Sequence, residues 1–225
     1  MKLKYVSIAL AALVASTAPA QAAITVYTTL AAFTAATTAP GTDTYTGLSI
    51  IALTPSPIIR TAGTYGYTAS TPGGFFGAGT NANPWLSTNT ATDTMTFNTF
   101  TGGSNGVGGN FFGSDIGGAF AAGNITVVAT DSSGSVTQTI VGATTGSFLG
   151  FLSTTAVTSL TVTSVQVAGA TPLWGTVDNL VFAKRPGVVQ GAVPESSTWL
   201  MMVAGFGLVG GAMRRRSSAR IAQAF

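Results

Sequence analysis

The stretch that decides the fold reads Ile125-Thr126-Val127-Val128-Ala129-Thr130, then Asp131-Ser132-Ser133-Gly134, then Ser135-Val136-Thr137-Gln138-Thr139-Ile140. The two outer runs are rich in β-branched residues and alternate apolar with polar positions, which favours strands. The four residues between them are turn formers, and glycine supplies the backbone freedom that a tight turn needs. The pattern predicts an antiparallel hairpin.

Outward from this hairpin, runs of Thr, Val, Ile and Phe continue in both directions, separated by Gly, Pro, Asn and Asp. They predict strands near 43–49, 58–68, 94–100, 108–113, 124–130, 136–141, 147–152, 158–167 and 176–183, with no long amphipathic helix between them. In the run 158–167, alternation predicts that Leu160, Val162, Val165 and Val167 point inward, with a bulge between Thr163 and Ser164. The fold class is therefore all-β, and residues 23–184 are expected to form a single antiparallel β-sandwich of two packed sheets.

Two segments before the hairpin differ from this pattern. Leu30 to Ala36 is alanine-rich and short enough for one or two helical turns, with Phe33 expected to dock on the core. Between Thr71 and Asn89, Pro and Gly are dense around Phe75, Phe76 and Trp85, which predicts a long loop. Its aromatic residues either form a binding surface or fold back into the core, and the second interpretation is favoured.

Both ends of the chain read as targeting segments. Residues 1–22 combine Lys2 and Lys4, an apolar run and the small-x-small pattern Ala20-Gln21-Ala22, which predicts a secretory signal peptide. After a linker at 185–192, residues 198–213 carry no charge, with Trp199 at one end and Arg214, Arg215 and Arg216 at the other. An aromatic residue at one interface and arginines at the cytoplasmic end are typical of a transmembrane helix, which leaves 217–225 as a cytoplasmic tail.

The residues Pro194-Glu195, then Trp199-Leu200-Met201-Met202, a glycine-rich apolar run and the arginine cluster resemble the PEP-CTERM sorting signal, in its Trp-Ala-Met-Met subgroup. The third position of the motif is Ser196, where the family has proline. The resemblance spans residues 193–216 and implies an exosortase as the processing partner. It also implies a precursor held in the inner membrane, followed by a mature protein at the cell surface or outside the cell.

The charge of the chain belongs mostly to these two ends. Between Ala23 and Val193 the basic residues are Arg60, Lys184 and Arg185, against five aspartates, so this region has a formal charge of −2. A mildly acidic domain without a basic stripe makes nucleic acid an unsuitable partner.

The residue types present exclude several kinds of catalytic and metal site. Neither cysteine nor histidine occurs, which excludes thiolate metal sites, a cysteine nucleophile and any Ser-His-Asp triad. Glu195 is the only glutamate, so a glycosidase, which needs two facing carboxylates, would have to draw both from five aspartates, Asp43, Asp93, Asp115, Asp131 and Asp178. The expectation is a protein that is not an enzyme, with an exopolysaccharide-active hydrolase as the alternative.

A second resemblance concerns the domain itself. Gly109-Asn110-Phe111-Phe112-Gly113-Ser114-Asp115 and the closing run Val177 to Phe182 resemble the jelly-roll domains of exported PEP-CTERM proteins, which are similar to carbohydrate-binding modules. This implies a structural or carbohydrate-binding role in a biofilm or exopolysaccharide matrix, with extracellular polysaccharide as a partner. No cofactor is expected, except that Asn110, Asp115, Asp178 and Asn179 offer hard oxygen ligands for a structural calcium ion. Alternatively, the same side chains cap loops through local hydrogen bonds.

Overall fold

The structure is a computed structural model that describes residues 24–187 together with Gly205 and Phe206. The first elements in chain order are β1 (Thr25–Tyr27), α1 (Leu30–Ala35), β2 (Thr38–Asp43), β3 (Leu53–Thr54), β4 (Ile58–Ala62), β5 (Tyr65–Ser70), β6 (Phe75–Thr80) and β7 (Asn83–Thr88). They are followed by β8 (Met95–Asn98), β9 (Gly106–Ser114), β10 (Phe120–Ala121), β11 (Gly123–Asp131), β12 (Gly134–Ala143), β13 (Phe148–Leu152), β14 (Val157–Ser164) and β15 (Trp174–Lys184).

The strands form two antiparallel sheets. The nine-stranded sheet has the order β1-β13-β9-β15-β7-β6-β3, with β10 added beside β9 and β2 beside β15. The six-stranded sheet has the order β12-β11-β14-β8-β5-β4. The two sheets contribute to one hydrophobic core, in which Phe97 and Val127 of the six-stranded sheet join Leu86, Phe111 and Phe182 of the nine-stranded sheet. The all-β prediction is confirmed, and helix within the described residues is limited to α1 and to Gly205 and Phe206.

The hairpin predicted over residues 125–140 is present. Strands β11 and β12 pair from Ile125 opposite Ile140 to Asp131 opposite Gly134. The Asp131 carboxylate shapes the turn, because its Oδ1 accepts hydrogen bonds from the backbone N–H of Ser133 (2.7 Å) and Gly134 (3.1 Å). Burial acts to raise the pKa of Asp131, but hydrogen bonds from Ser133, Ser153 and Gly134 outweigh it and lower that pKa.

The strand predicted at 43–49 is wrong. Strand β2 ends where that run begins, and the chain then turns, with a hydrogen bond from Leu48 N to Tyr45 O (3.0 Å). Tyr45 and Gly47 both have positive φ angles, +56° and +84°, which interrupt the extended backbone of a regular strand. The sequence pattern was misleading because proline normally argues against a strand, yet Pro40 lies within β2. Within the described residues β2 pairs only with β15, so one of its edges is free and tolerates proline.

The loop predicted between Thr71 and Asn89 is also wrong, since it contains the hairpin of β6 and β7. Pro84 stands near the start of β7, and β15 pairs with that strand only at Leu86 and Ser87, so the missing N–H of proline breaks no bond to β15. The expected packing of the aromatic residues into the core is confirmed for Phe75, which is fully buried. Phe76 and Trp85 are half-buried.

Two further predicted strands differ from the structure, one because it is divided and one because it is shorter. The run 58–68 is a hairpin of β4 and β5 with the turn at Gly63-Thr64. The run 158–167 ends at Ser164, so the prediction that Val165 and Val167 point inward is wrong, and both are exposed. Ser164 takes the inward position because its hydroxyl donates a hydrogen bond to Ala91 O (2.8 Å). Pairing is regular through Thr163 and Ser164, and the irregularity of this strand pair lies at Thr130 and Asp131 instead.

A polar network joins the two sheets at one end. Asp43 stands on β2 of the nine-stranded sheet, whereas Arg60 and Tyr67 stand on β4 and β5 of the six-stranded sheet. Arg60 Nε and Nη2 donate to the two carboxylate oxygens of Asp43 at 2.6 and 2.8 Å, and the Tyr67 hydroxyl donates to Oδ2 at 2.7 Å. The hydrogen bond to Asp43 raises the pKa of Arg60, so the guanidinium stays charged.

The outer face of the nine-stranded sheet, which looks away from the other sheet, is covered at one end by α1. Thr29 caps this helix by accepting a hydrogen bond from Ala32 N (3.2 Å), and Phe33 is fully buried against Phe148, Leu152 and Val181. The close approach requires glycine at position 150, because a Cβ there would lie 2.5 Å from Phe33 Cδ2. The predicted docking of Phe33 is confirmed. Among the described residues, α1 covers only this end of the face.

The chain divides into two units between Arg185 and Pro186. All the strands of the described residues lie in the first unit. Of the second, the structure describes Pro186, Gly187, Gly205 and Phe206, and the last two are helical and exposed. Most of the predicted linker and of the helix predicted at 198–213 lies outside the described residues, as do residues 1–22 and 217–225.

Candidate functional site

A groove lies on the nine-stranded sheet at the end away from α1. Its volume is about 280 Å³, close to the lower end of the range of small-molecule sites, roughly 300 Å³. Strands β6, β7, β9 and β15 provide its floor and one wall, through side chains that include Phe76, Ser87, Ser114 and Trp174. The other wall is the connection between β9 and β10, from Asp115 to Gly118.

Trp174 is the largest side chain that lines the groove. It is the first residue of β15 and lies opposite Ser114 of β9. Its indole Nε1 donates a hydrogen bond to Asn89 O (3.3 Å), which uses the polar edge of the ring and fixes its orientation. The side-chain amide of Asn89 lines the same groove and has no hydrogen-bond partner among the described residues. A half-buried ring with a fixed orientation therefore stands beside a free amide.

Three hydroxyl groups meet under the groove, one from each of three neighbouring strands. Thr176 Oγ1 lies 2.9 Å from Ser114 Oγ and 3.2 Å from Ser87 Oγ, and Ser87 Oγ donates to Gly175 O (3.1 Å). All three residues are buried, and Ser87 and Ser114 line the groove directly. Because Ser87 and Thr176 donate their protons within the protein, Ser114 is the hydroxyl that can donate to a ligand, while Ser87 and Ser114 can both accept.

The wall formed by Asp115 to Gly118 is rigidly held. Asp115 Oδ1 accepts hydrogen bonds from Gly117 N and Ala119 N, each 2.9 Å long, and Gly118 O accepts one from Gly79 N of β6 (2.8 Å). Gly118 has a φ of +78°, and a Cβ at this position would lie 3.2 Å from Ala78 Cα. Ile116 projects from this wall with 86% of its surface exposed. The groove thus has a preformed shape and an apolar lip.

Aromatic packing supports the wall from behind. Trp85 of β7 and Phe112 of β9 make an edge-to-face contact with 4.9 Å between ring centroids, and Phe112 also packs against Phe120 at 6.2 Å. Such contacts add roughly 0.5–1.5 kcal/mol each beyond the burial of their area. They connect the strands of the floor to β10, where the wall ends.

The structure does not bring the four predicted calcium ligands together. Asn110 lies directly opposite Asp178, and Asn179 is the next residue. Asp115, however, lies five positions beyond Asn110 along the chain, a distance of roughly 16 Å for an extended strand. Within the described residues, no group of three or more acidic or other common ligand side chains is positioned to hold a metal ion.

The carboxylate oxygens of the two predicted aspartate ligands already accept hydrogen bonds. Asp178 Oδ1 accepts from Asn179 N (2.8 Å) and Oδ2 from Asn179 Nδ2 (2.9 Å), and burial raises the pKa of Asp178. Asn179 has a φ of +50°, at a point where the register between β15 and β9 shifts. Loop and bulge formation therefore accounts for these side chains, and the calcium site stays a prediction.

The aspartates are dispersed rather than paired. Asp43 binds Arg60, Asp93 accepts from Gly73 N (2.7 Å), and Asp131 shapes the β11–β12 turn. Among the described residues, Asp115 is the only carboxylate that lines the groove. The sorting-motif residues Pro194, Glu195, Trp199, Arg214, Arg215 and Arg216 lie outside the described residues.

Sequence reasoning located part of this site. Phe76 belongs to the aromatic segment singled out above, and Asp115 to the predicted ligand set. Trp174, Ser87, Ser114 and Asn89 were missed, because serine and asparagine look like turn or surface residues until the strand order is known. The isolated tryptophan before the closing strand was the one available signal.

Comparisons with protein-family models, with curated proteins and with solved structures found no match to this chain. In the part of the chain that the structure describes, there is no helix long and apolar enough to cross a membrane.

Proposed function

We propose that this is an exported protein of the cell surface or biofilm matrix, whose two-sheet domain binds a neutral polysaccharide in the groove beside Trp174. The shared core between the two sheets supports a jelly-roll-like β-sandwich. The role is binding or structural rather than catalytic.

The observation that carries the proposal is the combination of the Trp174 ring, the free Asn89 amide and the buried hydroxyl floor in one preformed groove. A sugar ring presents an apolar face of C–H groups and an equatorial rim of hydroxyl groups. The indole face can pack against the C–H face of the sugar, and the amide and hydroxyl groups can form hydrogen bonds with its hydroxyl groups. The wall from Asp115 to Gly118 is already ordered, which lowers the entropy cost of binding. Among the described residues Asp115 is the only ionisable one in the lining, so an anionic ligand would find no counter-charge there.

The carboxylate inventory favours binding over hydrolysis. Glycosidases use two carboxylates separated by about 5–9.5 Å on either side of the scissile bond. Asp115 lines the groove without a second aspartate, and its Oδ1 is held by two backbone N–H groups. A hydrolase acting on exopolysaccharide is therefore the less supported alternative.

A glycan array followed by titration with the strongest neutral oligosaccharide tests the groove. Trp174→Ala should weaken binding about tenfold, which corresponds to roughly 1.4 kcal/mol of lost ring contact. Trp174→Phe keeps an aromatic face and should retain most of the affinity. Ile59→Ala removes an exposed apolar side chain on the other sheet, away from the groove, and should change nothing. Unchanged binding by Trp174→Ala, or release of reducing sugars from the same polymers, would contradict the proposal.

The proposed route to the surface rests on the two end segments of the sequence: the signal peptide, and the sorting motif read by an exosortase. Glu195→Ala should leave membrane insertion intact, because it lies outside the apolar run, while full-length precursor accumulates in the inner membrane. Replacing Arg214, Arg215 and Arg216 with glutamate should instead remove the stop in the membrane. Ser196→Pro restores the family pattern and should leave processing equal or faster. Immunoblots of membrane and medium fractions distinguish these results, and normal release of the Glu195→Ala protein would argue against this route.

A further inference from the structure

Strand β12 forms one edge of the six-stranded sheet and is unusual among the edges of this protein. It is ten residues long, and pairs only with β11 within the described residues. Its sequence, Gly134 to Ala143, has neither a charge nor a proline. The exposed fraction of Val141 is 78%. Natural proteins usually protect edges with charged residues, prolines or very short strands, because an edge offers unpaired N–H and C=O groups to other chains.

The other edges follow that rule. Strand β4, at the opposite edge of the same sheet, has five residues, includes Arg60 and directly follows Pro57. Strands β1 and β3, at the ends of the nine-stranded sheet, have three and two residues. Among the edges compared, β12 alone lacks charge, proline and shortness, and its bulge at Val141 and Gly142 lies beyond the stretch from Gly134 to Ile140.

The sequence of β12 is nearly symmetric about Gln138. Moving outward from this residue, Thr137 corresponds to Thr139, Val136 to Ile140, and Gly134 to Gly142. If two copies of the strand run antiparallel with Gln138 opposite its own equivalent, each threonine faces a threonine and Val136 faces Ile140, while Val141 faces Ser135. Cross-strand pairs of these kinds stabilise a sheet, and no like charges meet.

We propose that β12 pairs antiparallel with β12 of a second copy, in the register centred on Gln138, and so joins two six-stranded sheets into one continuous sheet. A two-fold axis perpendicular to the sheet keeps the core-facing sides of both copies on the same side of the joined sheet. Val136 and Ile140, which pack against the core, then meet Ile140 and Val136 of the second copy on the core side. Thr137 and Thr139, which are exposed, meet on the outer side.

This symmetry identifies a second copy as the occupant. An unrelated extended segment has no reason to repeat the pattern of β12 in reverse, and the neutral strand offers no charge to attract an acidic or basic peptide. An isologous contact uses the same strand on both molecules and is complete once two copies have joined. The expected assembly is a dimer and not a fibre.

Cysteine cross-linking of the full-length chain tests the register, because the natural sequence has no cysteine. Gln138→Cys places the two thiols directly opposite each other across the axis, where Cβ atoms of antiparallel strands lie about 4.5–5.5 Å apart. A mild oxidant should convert this variant to a covalent dimer. Ser135→Cys is the matched control on the same strand, since its two copies would lie six positions apart, roughly 20 Å, and it should remain monomeric on a denaturing gel.

Charge substitution of the exposed threonines tests the contact without a covalent bond. Thr137→Lys combined with Thr139→Lys places like charges opposite each other twice and should weaken the dimer at least about tenfold in analytical ultracentrifugation. Thr137→Lys combined with Thr139→Glu places opposite charges there and should restore it. Thr61→Lys, on the exposed face of β4, is the control for an added charge and should leave the dimer intact. Circular dichroism confirms that each variant is folded.

Three results would overturn the proposal. The first is a monomeric parent protein at all concentrations together with no cross-link at position 138. The second is equal cross-linking at positions 135 and 138, which would indicate random collision. The third is a dimer that the two charge combinations affect equally, which would place the contact on another surface.

Discussion

The ion pair between Asp43 and Arg60 should be one of the larger polar contributions to the stability of the domain, and Asp43→Asn tests this. The carboxylate is 5% exposed and the guanidinium 21% exposed. Besides the two bonds from Arg60, Asp43 accepts hydrogen bonds from the Tyr67 hydroxyl and from Tyr45 N (2.8 Å). Asparagine keeps the shape but offers one acceptor oxygen and no charge, so the guanidinium loses its partner.

The size of the loss follows from burial. Breaking a fully buried ion pair costs roughly 3–5 kcal/mol, mostly because an unpaired charge stays in the interior. Water reaches part of Arg60, which reduces the penalty, so we expect about 2–3 kcal/mol. For a domain of this size each kcal/mol lowers the melting temperature by roughly 2–4 °C, which gives a decrease of about 5–10 °C.

Thermal unfolding followed by circular dichroism measures this decrease. Asp93→Asn is the matched control, because Asp93 accepts a single backbone hydrogen bond, from Gly73 N, that an asparagine oxygen can also accept. Its cost should stay at or below about 1 kcal/mol. Arg60→Met completes a double-mutant cycle, and the double variant should lose less than the sum of the two single variants. Equal effects of Asp43→Asn and Asp93→Asn, or strict additivity in the cycle, would refute the reasoning.

Three other predictions concern separate parts of the molecule. Gly150→Val should destabilise the domain by roughly 2 kcal/mol or more in chemical denaturation, because its side chain would collide with Phe33. Gly146→Val should cost less than about 1 kcal/mol, because a Cβ there would have a single neighbour, Thr144 Oγ1, at 4.0 Å. Asp131→Asn should lower the melting temperature at neutral pH. Because the pKa of Asp131 is lowered in the native state, its contribution to stability is present above the unfolded-state pKa of about 3.9 and is lost as the pH falls toward the native pKa. The difference in melting temperature between Asp131→Asn and the parent protein should therefore shrink in acid. Calcium and a chelator should give the same melting temperature, since the Asp115 and Asp178 carboxylates accept local hydrogen bonds and lie apart. A clear rise in the melting temperature with calcium would instead support the calcium site predicted from the sequence.

The parts of the fold that the sequence predicted well are those set by local rules. The β11–β12 hairpin has alternating strands and a turn sequence, and Phe33 lies on a short alanine-rich helix, so neighbouring residues carry the signal. The errors arose where tertiary pairing overrides local composition. Gly79 and Pro84 read as loop residues, yet they face each other in the β6–β7 hairpin. Val165 and Val167 alternate like buried residues, but the strand has already ended at Ser164.

The candidate site was less predictable because its residues are distant in the chain. Phe76, Ser87, Ser114 and Trp174 meet only because β6, β7, β15 and β9 are neighbours in that order. Alternation can assign a residue to one face of its strand, but it cannot say which strand lies beside it. Strand β15, the last of the described strands, lies between β9 and β7, an arrangement that no sequence pattern indicates.

The position of β15 also links folding to the proposed function. This strand bonds to β9 on one side and to β7 and β2 on the other, so the nine-stranded sheet cannot be completed until the end of the domain is available. Trp174 and the third floor hydroxyl, Thr176, both belong to β15, so the groove forms only in that final step. Long-range pairing of this kind is slow compared with hairpin formation, because loop-closure entropy must be overcome first. On the proposed export route, the groove would therefore be absent from any chain that crosses the membrane before β15 has paired.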